Sequence, residues 1–209
     1  MQRFPTRTLI LLLLVTSAIL IPFFIWEAPV AAWFDARMDA AAGYPLASAA
    51  VLFSLLASDI ILPVPSSLVS TSCGLILGLW TGFFVSFMAM NVSAVLGYGL
   101  GRFFSRFAAK LIGPAEQAML VRYAQQNGRW LLLLFRPVPV LAEASVVFSG
   151  LAHQPVRRAA VEVLAGNAIV SFVYAAVGAY GRASDSMLPA CLATLVISGL
   201  CMLAVRFRR

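Results

Sequence analysis

The chain has 209 residues, 62% of them hydrophobic and 11% charged, with a mean hydropathy of +0.94 and a net charge of +7. Soluble domains carry about 25% charged residues, and so short a chain leaves much of itself exposed. The composition excludes a soluble enzyme, a nucleic-acid-binding domain and a disordered tail, and predicts an all-α integral membrane protein.

The first apolar run, residues 9–25, follows Arg3 and Arg7 and ends Pro22-Phe23-Phe24-Ile25-Trp26. That ending is a poor cleavage site and suits a membrane interface, so a retained helix is predicted. Residues 27–44 carry Glu27, Asp35 and Asp39 and read as an external amphipathic segment; together with the first helix they form the region 1–45. Residues 46–80 are apolar for longer than one crossing and are interrupted by Asp59 and by Pro63-Val64-Pro65. Two prolines in three residues cannot continue a helix, so two short half-helices forming a re-entrant hairpin are predicted. Residues 81–101 make a full span ending Gly97-Tyr98-Gly99-Leu100-Gly101-Arg102. The connection 102–129 holds Arg102, Arg106, Lys110, Arg122 and Arg129 and reads as helical and cytoplasmic. Residues 130–152 repeat the earlier break at Arg136-Pro137-Val138-Pro139, and a span follows over 159–180. A last span and a basic tail occupy 183–209.

Charge parity fixes a topology. With the N-terminus inside and both broken segments returning to their own side, Arg3, Arg7, Arg102, Arg106, Lys110, Arg122, Arg129, Arg157, Arg158, Arg206, Arg208 and Arg209 are cytoplasmic. Only Arg37 and Arg182 fall outside, which the positive-inside rule favours strongly. The C-terminus is then cytoplasmic as well.

Two units resemble each other. The first runs from Pro63-x-Pro65 through Cys73-Gly74-Leu75 to a span ending at Arg102. The second runs from Pro137-x-Pro139 through Ser149-Gly150-Leu151 to a span ending Gly178-Ala179-Tyr180-Gly181-Arg182. The topology makes their spans antiparallel, so an inverted repeat is predicted, with two hairpins meeting near the midplane.

Asp59, Arg136 and Glu143 are read as the ionisable residues inside apolar segments, and all three flank the breaks. A charge at the bilayer centre costs about 2.5–3.5 kcal/mol on insertion scales, so such residues pair or face a wet cavity. The functional reading gives Arg136 an anion to hold through its planar fork, and gives proton or ion coupling to Asp59 and Glu143. The structural alternative is an Arg–carboxylate pair tying the hairpins together. Ser66 and Ser67 open a hydroxyl-rich patch that either satisfies broken backbone or contacts a head group. Asn91 and Asn167 occupy matching midspan positions and read as interhelical glue rather than as ligands. Cys73, Cys191 and Cys201 lie in apolar runs with no CxxC spacing, and no metal or cofactor site is expected.

The Pro-x-Pro hairpin, the Gly-Tyr-x-x-Gly-Arg ending and Phe135-Arg136-x-x-Pro139 resemble the DedA family, also called SNARE-associated Golgi or VTT-domain proteins, over roughly residues 45–182. The resemblance implies two opposed re-entrant hairpins in a helical bundle and an inner-membrane protein that moves a lipid across the bilayer. Undecaprenyl phosphate or a phospholipid is the implied substrate, with the proton-motive force as the implied drive. Relatives carry acids in the first hairpin and an Arg-x-x-Pro-x-x-Arg motif in the second. Here Asp59 stands near the first acid's place, and Ser66-Ser67 replace the second acid. Arg136 matches the first arginine, and Ala142, followed by Glu143, replaces the second.

The expected function is therefore lipid transport, with no catalytic residue and no nucleic-acid partner. A transporter of small ions or polar solutes on the same scaffold is the first alternative. A non-transporting membrane assembly factor is the second.

Overall fold

The computed structural model describes residues 44–62, 64, 66–112, 135–136 and 139–180, together with residues 17, 122 and 132. The expected first span and the last span fall outside the described residues. Those described are helical: α1 (Pro45–Ser58), α2 (Ser66–Leu77), α3 (Leu79–Ile112), α4 (Pro139–Leu151) and α5 (Val156–Tyr180).

Local chemistry sets the boundaries. Pro45 starts α1, where its missing N–H costs nothing. The chain then turns, with the Ile61 and Leu62 amides both donating to the Ser58 carbonyl, and Leu62 precedes a proline that disfavours helix. Gly78, at φ +79°, divides α2 from α3 in the left-handed conformation that glycine adopts freely. His153 takes the same role after α4 at φ 55°. The Gln154 amide donates to Ser149 and the His153 amide to Gly150, the paired pattern of a Schellman cap. Pro155 then precedes α5.

Lengths sort the helices. α3, with 34 residues, is about 51 Å long and α5, with 25, about 37 Å. Both contain stretches long and apolar enough to cross a membrane. α1, α2 and α4 have 14, 12 and 13 residues, at most about 21 Å, well short of a core about 30 Å thick. The third helix runs past the predicted span and takes in the first residues of the predicted cytoplasmic connection. Large apolar side chains face outward along its length, among them Phe84, Met88, Val95 and Phe103, as befits a surface in contact with lipid.

The helices associate through close backbone approach. α2 packs on α5, and α4 on α3. A Cβ added at Gly74 would overlap the Ala175 carbonyl, and one at Gly178 the Thr71 carbonyl. Likewise Gly101 faces the Val147 carbonyl and Gly150 the Tyr98 carbonyl. Without a hydrophobic drive between helices in lipid, such small-residue contacts are what bring them together. A second layer is polar: the Ser86 hydroxyl on α3 lies within hydrogen-bonding distance of Ser70 on α2, at 2.9 Å, and of Ser171 on α5, at 3.3 Å. Leu52, Leu55 and Leu56 of α1 pack against Val64, Val69, Cys73 and Ala89 to complete one core.

Candidate functional site

The ends of α1 and α2, the middle of α3 and the start of α4 converge on a cavity of about 30 Å³. Asp59, Ser66, Ser67, Arg136 and Glu143 all line it, so the five residues singled out in the sequence are neighbours in space. Asp59 lies in the turn after α1 and Ser66 at the first position of α2. Arg136 is in a turn shortly before α4, and Glu143 one turn into that helix. Asp59 is 8% exposed, Ser66 5% and Arg136 6%. Ala142, at the place of the family's second arginine, is buried against the same cavity.

Asp59 interacts with the Glu143 carboxyl, the Val64 amide and the Ser66 hydroxyl. The second Asp59 oxygen, Oδ1, is buried without a partner.

Arg136 is held by an amide and not by the Arg–carboxylate pair of the structural alternative. Its Nη1 donates to Asn167 Oδ1 at 2.8 Å, and Asn167 Nδ2 donates to Asn91 Oδ1 at 3.1 Å. Asn91 in turn donates to the Phe87 carbonyl at 2.6 Å. Among the described residues neither acid forms an ion pair with Arg136 within 4.0 Å. The Arg136 Nε and Nη2 groups are buried without partners. The guanidinium is thus tethered by one amide, with two of its three nitrogens left without partners.

Two features escaped the sequence reading. Asn91 and Asn167 do bridge α3 and α5 as expected, but they also position Arg136, which their matched midspan placement did not reveal. Glu162 is a fourth ionisable residue within an apolar run, 8% exposed and 3.3 Å from Arg158 Nε. Its signal was the i,i+4 spacing to that arginine on a helix. No cluster of metal-ligating residues occurs among those described.

The family model of the VTT domain matches residues 64–180, more than half of the chain, from the break before α2 to the end of α5. The chain is a VTT-domain protein. This is the domain of DedA and SNARE-associated Golgi proteins, so the resemblance read from Pro63-x-Pro65 and Arg136-x-x-Pro139 is borne out. Asp59 lies just before the matched stretch, whereas Arg136 and Glu143 lie within it. Comparison with curated proteins and with solved structures gave no match.

Proposed function

We propose that this VTT-domain protein moves a lipid with an anionic head group across the bacterial inner membrane, with both termini cytoplasmic. One observation carries the reading: a buried arginine with two unpartnered guanidinium donors beside a polar cavity. Leaving such donors unpaired costs about 1–3 kcal/mol, more for a charged group, and a phosphate oxygen would satisfy them with charge-assisted hydrogen bonds. Undecaprenyl phosphate and phospholipids both offer that group. The two carboxyls at the same cavity supply groups that release and regain a proton as the anion leaves and returns. The reading is of a transporter rather than an enzyme.

The re-entrant, inverted-repeat arrangement belongs to this proposal. Two correspondences support it. Gly74 and Gly150 each meet the backbone of the other unit's long helix, and Gly178 and Gly101 return the contact. Asn91 and Asn167 each stand 17 residues after the corresponding glycine, Gly74 or Gly150, and they bond to each other. A rocking of one unit against the other about this pair would expose Arg136 to either side.

The cavity's size favours a second reading. A volume of about 30 Å³ suits a small ion or a water rather than a head group. Liposome assays separate the two. Arg136→Ala should slow phospholipid flipping at least about tenfold, the cost of one lost charge-assisted bond. Normal flipping by that variant removes Arg136 from the substrate path, and solute uptake without lipid movement selects the second reading.

A further inference from the structure

A second cavity, of about 220 Å³, opens between α3 and α5. Ala94 and Val95 form one wall, Ala160, Val163 and Leu164 the other, and Val146 of α4 the floor. It opens sideways, since Val95 is 72% exposed and Leu164 45%. The two units differ at one matching place beside the groove. Gly82, eight residues after Gly74, lets α3 lie directly on the Cys73 backbone. Eight residues after Gly150 stands Arg158, which turns to Glu162 instead. α2 therefore packs on α3, whereas α4 scarcely touches α5, and the groove fills the gap.

Ala94 and Val146 line both this groove and the Arg136 cavity, so the two share a wall. Asn91 lines the groove and, through Asn167, holds Arg136. We propose that the α3–α5 groove seats one hydrocarbon chain of a membrane lipid whose anionic head reaches Arg136. The proposal rests on the lipid reading above and adds where the tail lies. An amphiphile fits because an apolar slot adjoins buried cationic donors too confined for more than the tip of a head group.

The full chain in nanodiscs of mixed phosphatidylglycerol and phosphatidylcholine provides the test, with a photoreactive benzoylphenylalanine at position 164 or, as control, at position 84. Position 164 should label phosphatidylglycerol preferentially. That adduct should fall about tenfold in Arg136→Gln, the loss of one charge-assisted bond, while the position 84 adduct stays constant. Ala160→Trp, which fills the groove and leaves Arg136 intact, should remove the position 164 adduct too. Labelling indifferent to both substitutions marks ordinary boundary lipid and overturns the proposal. Labelling of residues 183–209 or of a second copy overturns it equally. Transport that depends on Arg136 with indifferent labelling removes the groove alone. Arg136-dependent labelling without flipping keeps the groove and removes the transport reading.

Discussion

Arg136 is tethered through one of its three nitrogens, which makes Asn167 the most consequential neutral residue in the molecule. Asn167→Leu keeps the volume and removes the acceptor. It leaves a further buried donor unpaired at about 1–3 kcal/mol, so the melting temperature in detergent should fall by several degrees and flipping should slow. Asn91→Leu should cost less, since Arg136 keeps its direct partner. An Asn167→Leu protein that melts and transports like the parent contradicts this account of how the guanidinium is held. His153 offers a test of the opposite sign. A non-glycine residue in the left-handed region costs about 1–2 kcal/mol. Its ring nitrogen lies 3.0 Å from the Leu151 carbonyl, which recovers only part of that. His153→Gly should therefore raise the melting temperature modestly.

At the level of helices, glycine placement decides which pairs touch. Gly101 and Gly178 sit where any Cβ meets backbone, and backbone cannot swing aside. Gly101→Leu or Gly178→Leu must push two helices apart, at a cost of about 3 kcal/mol or more, and should sharply lower the yield of folded protein. Gly99 is the internal control. Nothing approaches its Cβ position, so Gly99→Ala should gain up to about 1 kcal/mol from helix propensity. Equal effects at positions 99 and 101 count against close packing as the organising contact. Gly97, Gly99, Gly101, Gly178 and Gly181 read from the sequence as close-packing positions, because small residues in apolar spans let helices approach. Gly101 and Gly178 are such positions, Gly99 is not, and Gly181 lies outside the described residues. The sequence did not reveal their partners. Gly101 and Gly178 each meet a carbonyl on a helix some 50 to 100 residues away, and no local pattern encodes that distance.

For the whole molecule, coupling is the property to measure. If a proton carried by Asp59 or Glu143 drives the cycle, flipping by the parent should respond to an imposed pH gradient. The double variant Asp59→Asn with Glu143→Gln should lose that response while retaining hydrogen bonding and approximate volume. A gradient response that survives the double change assigns the coupling elsewhere. The 11% of residues that carry charge divide accordingly. Most cations flank the apolar runs, Arg158 and Glu162 pair on α5, and Asp59, Arg136 and Glu143 meet at one cavity.

The sequence by itself determined the helical class, the two broken segments, the family and the residues gathered at the cavity. These follow from composition, from proline chemistry and from the cost of charge in hydrocarbon, all of which act locally along the chain. Tertiary structure alone decided that Arg136 is held by an amide rather than by an acid. It also decided that α4 and α5 stand apart to leave an apolar groove. Both depend on which helices lie side by side, and that is set by where a missing Cβ lets two backbones meet.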